Sequence, residues 1–188
     1  DNNACTVTAA ATITEPPPLV STISNDTTIC RGGGADISIS ASGGIPPYTY
    51  VWDNGLPNSA SHNVTPVFTN PYTVIVLDSN LCTANAKVVN ITVNPLITVS
   101  APPVNGLCEG ESVTITANAT GGDGNYTYTW DQGIGQAGSA VTVSPLTTTI
   151  YSVTVDDGCE TPAVSISLTV AVNKLPVVQF KDLASGCA

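Results

Sequence analysis

The sequence is poor in charge, and above all in positive charge. Only 10% of its 188 residues are charged, and 4 Lys and Arg residues face 14 Asp and Glu residues, so the net charge is −10. Nucleic acids and anionic membranes attract positive surfaces, so we expect neither as a partner. The sequence also lacks an apolar run of about 18 residues, the length that spans a bilayer, and predicts no membrane insertion.

The residues that are abundant favour strands and turns. Thr, Val, Ser and Ile dominate, with 14 Pro and 16 Gly, whereas Met is absent and His occurs once. Apolar residues alternate with polar ones, as at Val113, Ile115 and Ala117, which is the pattern of a half-buried strand. Short strands at this spacing predict an all-β protein built as an antiparallel sandwich.

The chain repeats itself. The segment Gly43–Asp53 returns as Gly121–Asp131 with the pattern Gly-Gly-x-x-x-Tyr-Thr-Tyr-x-Trp-Asp, and Cys30 returns as Cys108, 78 residues later in both cases. A fixed period of this kind indicates an array of similar modules. We therefore predict tandem sandwich repeats rather than one large domain.

The repeats divide the chain into four parts. Residues 16–94 and 95–172 are two whole repeats. Residues 1–15 resemble the end of a repeat, and residues 173–188 resemble the start of one. The sequence is therefore expected to be a segment of a longer array, and Pro95 and Pro176 at the junctions are expected to limit bending.

The 6 Cys residues follow the repeat plan. Each whole repeat has one near its start and one near its end, so the simplest pairing is Cys30 with Cys82 and Cys108 with Cys159. Such a bridge would close a loop of about 50 residues, worth roughly 4 kcal/mol, and would indicate an extracellular location. Six cysteines allow 15 pairings, and free thiols or a metal site are the alternatives. Cys5 and Cys187 are expected to be unpaired or to pair outside the segment.

The aromatic rows allow two interpretations. Tyr50 and Trp52 share one face of a predicted strand, as do Tyr128 and Trp130. They could form a platform that stacks against surface glycans. Their small Thr neighbours on the other face favour the second interpretation, in which these rings fill the core of each sandwich.

Other candidate sites are weaker. Asp156 and Asp157 form the best pair for Ca²⁺, although Asp in turns is also explained by turn chemistry, so no cofactor is expected beyond a possible calcium ion. Thr27 follows Asp26 in a motif that resembles an O-glycosylation site. His62 has no counterpart in the second repeat and no evident catalytic partners, so no catalytic residue and no enzyme are predicted.

These motifs resemble a known group. Together with Ile29–Gly32 and Asp157–Cys159, the repeated Gly-Gly to Trp-Asp pattern looks like the PKD-like, immunoglobulin-like repeats of giant Bacteroidetes surface proteins, and of SprB-type gliding adhesins in particular. The resemblance implies secretion by the type IX route, display at the cell surface, and a role in adhesion or gliding motility.

We therefore expect a structural segment of a long surface adhesin or filament that acts as a stiff stalk. Its expected partners are the neighbouring repeats of its own chain, surface glycans or other copies in a filament. The alternatives are a glycan-binding module and a spacer module of a secreted hydrolase.

Overall fold

The structure is a computed structural model that describes residues 8–159 and 162–178. Within these ranges all regular secondary structure is β-strand, and the chain divides into two compact units, Asp1–Val93 and Asn94–Ala188. The prediction of an all-β protein with tandem immunoglobulin-like sandwich repeats is confirmed.

The first unit contains seven strands in two sheets. One sheet has the order β1-β3-β5, and the other has the order β2-β7-β6-β4. The strands are β1 (Val20–Ile23), β2 (Thr27–Ile29), β3 (Ala35–Ser42), β4 (Thr49–Trp52), β5 (Ser61–Val64), β6 (Asn70–Leu77) and β7 (Lys87–Val93).

The second unit repeats this plan with shorter pieces. Its largest sheet has the order β13-β12-β15-β16, and the remaining strands pair as β10-β14, β11-β8 and β17-β9. The strands are β8 (Thr98–Ser100), β9 (Leu107–Cys108), β10 (Val113–Thr116), β11 (Asn118–Thr120), β12 (Thr127–Trp130), β13 (Gly135–Ala137), β14 (Ala140–Val143), β15 (Thr149–Asp156), β16 (Val164–Val170) and β17 (Val172–Asn173).

The alternation of side chains explains why these segments form strands. In β6, Tyr72, Val74 and Val76 are buried, while Thr73 and Ile75 point the other way. The equivalent strand β15 buries Tyr151, Val153 and Val155 in the same manner. Each unit thus has its own apolar core between its sheets, and the long strands next to β4 and β12 supply much of it.

One feature of the topology was not predicted from the sequence. The short strand β2 runs parallel to the last strand of its unit, with Thr27 opposite Ile91 and Ile29 opposite Val93. The second unit repeats this arrangement between β9 and β17. The sandwich is therefore antiparallel apart from one short parallel pair in each unit, within the residues described.

Candidate functional site

In the first unit, a cluster of hydrogen bonds around one carboxylate joins two loops at one end of the sandwich. Asp78 follows β6 and is only 3% exposed. One oxygen of its carboxylate accepts a hydrogen bond from the backbone N–H of Ile45 at 3.0 Å. The other accepts from the N–H groups of Asn80 at 2.9 Å and Cys82 at 2.8 Å. We call this arrangement the aspartate clamp, because one buried carboxylate holds the Gly43–Ile45 loop against its own turn.

The second unit has the same clamp at Asp157. Its carboxylate accepts hydrogen bonds from the N–H of Asp123 at 3.0 Å and from the N–H of Cys159 at 3.1 Å. A tyrosine hydroxyl supports the glycine loop in both units: Tyr48 donates to the carbonyl of Gly43 at 2.7 Å, and Tyr126 donates to that of Gly121 at 2.5 Å.

The clamp explains the glycine pair that opens the repeated motif. Gly44 and Gly122 have φ values of 57° and 60°, in the left-handed region that side chains disfavour. A Cβ at Gly44 would lie 2.8 Å from Oδ2 of Asp78, and one at Gly122 would lie 2.0 Å from Oδ2 of Asp157. Only glycine lets the loop approach the carboxylate this closely.

The proline segment that precedes each repeat is held by the same loop. The N–H of Gly44 donates to the carbonyl of Pro17 at 2.7 Å, and the N–H of Gly122 donates to that of Pro95 at 2.8 Å. Pro95 is therefore fixed to the unit that it enters. Its predicted effect on bending between repeats stays a prediction.

The hydrogen bonds of the clamp control the ionisation of its carboxylate. Burial, the largest single influence, raises the pKa of Asp78, but the N–H groups of Ile45, Cys82 and Asn80 together outweigh it, so the pKa lies below the ordinary 3.8. Hydrogen bonds from Asn125 likewise lower the pKa of Asp123 in the second unit. The clamp of the first unit therefore favours the charged form of the Asp78 carboxylate.

The acidic pair proposed for calcium lies at this position. Asp157 is the clamp residue, and Asp156 Oδ1 accepts a hydrogen bond from the N–H of Asp157 at 3.0 Å. In the described part of the chain, no three His, Cys, Asp or Glu side chains are grouped so that they could hold a metal ion. Calcium binding at Asp156 and Asp157 stays a prediction, and the structure gives Asp157 a structural role.

The cysteines do not pair as the sequence predicted. Cys82 and Cys108 are exposed free thiols, and Cys30 and Cys159 each take part in a disulfide. The predicted bridges from Cys30 to Cys82 and from Cys108 to Cys159 are therefore wrong. Cys5 and Cys187 lie outside the described residues.

In the first unit, Cys30 and Cys82 are too far apart to form a disulfide. Cys30 follows Ile29, which lies opposite Val93 at the end of β7, whereas Cys82 is bound to Asp78 beyond the far end of β6. Strand β6 runs antiparallel to β7 over 8 residues and separates these two ends by roughly 23 Å. A disulfide requires Cα atoms about 4.4 to 6.8 Å apart.

The second unit has the same geometry. Cys108 lies opposite Asn173, beyond the end of β16, whereas Cys159 follows the other end of β15, which is also 8 residues long. Start and end cysteines therefore occupy opposite ends of one sandwich in both repeats.

The tryptophans lie in the cores. Trp52 is 6% exposed and its Nε1 donates to the carbonyl of Ser59 at 2.8 Å, while Trp130 is 2% exposed and donates to Gly138 at 3.0 Å. Tyr50 and Tyr128 are half-buried and pack against these cores. All of the Tyr and Trp residues of the chain are buried or half-buried, which leaves no flat aromatic platform among them.

His62 and Thr27 occupy strands rather than loops. His62 lies in β5 with its ring edge against Trp52, the ring centroids being 5.5 Å apart, and its buried Nε2 has no hydrogen-bond partner. Thr27 is exposed in β2, so its glycosylation stays a prediction. The neighbouring Asp26 binds Asn90 through both oxygens, at 2.8 and 3.0 Å, and these bonds lower the pKa of Asp26.

Comparison with known proteins agrees with this picture. The fold is that of tandem immunoglobulin-like repeats. The family model described as SprB repeat matches residues 30–57 and 100–135, which contain the start cysteine, the glycine pair and the tryptophan of each unit. The chain therefore resembles SprB repeats at two places, one in each unit.

Solved structures support the fold. The chain is 12% identical to the I-band fragment I67-I69 from titin, with a TM-score of 0.55 over 86% of this chain and 67% of that one. It is 19% identical to three N-terminal domains of the Hoc capsid protein of bacteriophage RB49, with a TM-score of 0.53 over 82% of this chain and 59% of that one. No curated protein matches the sequence. No helix in the described residues is long and apolar enough to cross a membrane.

Proposed function

We propose that this SprB-type repeat region is a stiff stalk segment of a long cell-surface adhesin or filament that serves surface adhesion or gliding motility. SprB repeats belong to surface proteins, and repeat and immunoglobulin-like families are typically non-catalytic. Display outside the cell after type IX secretion, and the adhesive or motile role itself, are parts of the proposal.

The observation that carries the proposal is the parallel strand pair in each unit. In the first unit, the early strand β2 lies beside the last strand β7 and points the same way. A force that pulls the two termini apart draws parallel neighbours in opposite directions along their length. The hydrogen bonds between them are then loaded in shear and must break together, which is the arrangement that suits a segment under tension.

A side-chain clamp reinforces this pair in the first unit. Asp26 lies just before β2, and Asn90 lies in β7 beside the pair. The two hydrogen bonds from Asn90 to the carboxylate of Asp26 lengthen the contact between β2 and β7 by one residue. The second unit has Val104 at the position equivalent to Asp26 and lacks this bond.

The proposed partners follow from length and charge. A stalk of such repeats contacts the neighbouring repeats of its own chain, and weak contacts with glycans or with other copies can add along its length. The net charge of −10 suits a solvated stalk that does not adhere to anionic surfaces. The buried and half-buried Tyr and Trp residues favour this function over a glycan-stacking module.

The proposal is tested in cells that produce the parent protein. Protease treatment of intact cells should remove the signal of an antibody against this segment, which would place the segment at the surface. Deletion of residues 16–172 from the parent should weaken adhesion or gliding. The control replaces the deleted residues with two unrelated immunoglobulin-like domains of the same length.

The control separates a stalk from a binding module. A stalk acts through its length and stiffness, so the unrelated domains should restore adhesion. If only the original repeats restore it, the segment itself binds a ligand and the stalk function is refuted.

A further inference from the structure

The last strand of the larger sheet in the second unit has an uncovered edge. Strand β16 (Val164–Val170) pairs with β15 on one side and ends the sheet order β13-β12-β15-β16 on the other. The equivalent strand β7 of the first unit is covered by β2. In the second unit the covering strand β9 pairs further along, with Val172 and Asn173, and leaves Val164–Val170 uncovered within the described residues.

The bonds of β15 show which backbone groups point to this edge. The N–H and C=O of Ser152 both bond to Asp131, on the far side of β15. Ser152 lies opposite Ser167, so these two residues exchange no backbone bonds, and the N–H and C=O of Ser167 point to the uncovered edge. Because bonding alternates along an antiparallel pair, the same holds for Ser165 and Thr169. No hydrogen bond from the described residues reaches these outward groups.

In the first unit a side chain closes the corresponding position. Asn90 is the equivalent of Thr169, and its N–H donates to Oδ1 of Asp26 at 2.8 Å. The second unit has Val104 in place of Asp26, and a groove of about 300 Å³ lies between the segment that contains Val104 and the middle of β16. The edge of β16 is therefore accessible at a position where the edge of β7 is closed.

The sequence of β16 contains none of the usual protections of an edge strand. Proteins commonly block such edges with charged side chains, proline or a covering segment. In the first unit, the N–H of Tyr50 on the edge strand β4 donates to Oδ1 of Asn58 at 2.8 Å, and β7 begins with Lys87. Strand β16 has no charged residue and no proline. Its edge can therefore pair with another strand.

We propose that this edge pairs with the same edge of a second copy of the chain. In an antiparallel pair centred on Ser167, Ser167 lies opposite Ser167 of the second copy, and Ser165 lies opposite Thr169. Every outward N–H then meets an outward C=O, and two four-stranded sheets join into one. An identical strand is thus complementary to β16 in register.

The charge distribution also favours an identical strand. The chain has a net charge of −10, but no residue of β16 and none that lines the groove is charged. A basic partner would gain no ion pair at this edge, and two acidic copies can meet here with little repulsion.

The contact is small and therefore weak. Each copy contributes one strand of 7 residues, whereas stable complexes use roughly 20–30 residues a side. Many repeats side by side would add such contacts along their length. The inference deepens the proposed stalk function, on which it rests for its biological role, because it specifies how other copies attach.

The first test measures amide exchange with solvent by NMR at low and high protein concentration. It uses the 188-residue chain with its free thiols alkylated, so that no disulfide joins two copies. The amides of Ser165, Ser167 and Thr169 should exchange more slowly at high concentration, whereas those of Ile166 and Leu168, which bond to β15, should be slow at both. Outward amides that are slow at both concentrations would show that the edge is covered within one molecule and would overturn the proposal. Outward amides that are fast at both would show that no second copy binds there.

The second test places proline on the edge. Ser167→Pro removes an N–H that points outward, so the bonds between β16 and β15 remain. Each dimer loses the bond from both copies of this N–H, and its dissociation constant in sedimentation equilibrium should rise about 5- to 150-fold. The matched control Val88→Pro changes the equivalent residue of β7 and should leave the dissociation constant unchanged.

A lysine variant serves if proline unfolds the second unit. Ser167→Lys keeps the N–H but places two like charges directly opposite each other, which should weaken association although each copy then has less net charge. Its control is Val88→Lys. Equal dissociation constants for changes at Ser167 and at Val88 would refute the proposal. A chain that is monomeric at every concentration would also refute it, and would leave the stalk function standing, because that function is tested by domain replacement in cells.

Discussion

The substitution Gly122→Ala tests the aspartate clamp most directly. Alanine at φ +60° costs about 1–2 kcal/mol by itself. The added Cβ would lie 2.0 Å from Oδ2 of Asp157, so the carboxylate must move. A carboxylate that moves away loses the bonds from Asp123 and Cys159, at roughly 1 kcal/mol each, and the crowding that remains adds up to about 1 kcal/mol. We expect a total loss of about 3–5 kcal/mol in the second repeat.

The matched control is Gly133→Ala. Gly133 has φ +77°, and nothing lies within 4 Å of its added Cβ, so it incurs the backbone cost alone. The difference between the variants should be about 2–3 kcal/mol, which corresponds to roughly 30- to 150-fold in an equilibrium constant.

Hydrogen exchange measures this difference for one repeat at a time. The amides of β15 report on the second repeat, because Val153 and Val155 are completely buried. Their exchange should be roughly 30- to 150-fold faster in Gly122→Ala than in Gly133→Ala, and the amides of β6 in the first repeat should be unchanged. Equal exchange of β15 in the two variants would refute the steric account of the glycine pair.

Three further predictions concern force, acid and the core. In single-molecule pulling, Asp26→Ala should lower the unfolding force of the first repeat only, because it removes the bonds from Asn90. The pKa of Asp78 is lowered in the folded protein, so its contribution to stability is present above pH 4 and is lost as the pH falls through the folded pKa. In acid titrations of stability, Asp78→Asn should therefore lose less stability than the unaltered chain over that range. Trp130→Phe should cost about 1–3 kcal/mol in urea unfolding, because the carbonyl of Gly138 loses its donor.

Periodicity was sufficient to predict the long strands. The alternation of Tyr72, Val74 and Val76 identifies β6, because a strand buried on one face shows its pattern in the sequence. The short strands β2 and β9 have 3 and 2 residues and show no period. Their parallel pairing is set by where the chain crosses between sheets, which is a tertiary property.

The repeated motif identifies the glycine pair, but the sequence does not show which contact requires glycine there. Gly121 and Gly122 open the repeated motif, whereas the carboxylate that lies against Gly122 belongs to Asp157, which is 35 residues further along the chain. The sequence instead predicts Asp157 as half of a calcium pair. A turn aspartate that accepts backbone N–H groups and one that binds a cation have the same local sequence, and only the fold shows where the carboxylate points.

The cysteines show most clearly what a repeat pattern leaves open. A pattern with one start and one end cysteine per repeat fits a bridge within each repeat and a bridge between repeats equally well, because the period is the same. The difference depends on which ends of the sandwich the two residues occupy. An 8-residue strand between them is long enough to exclude the internal bridge.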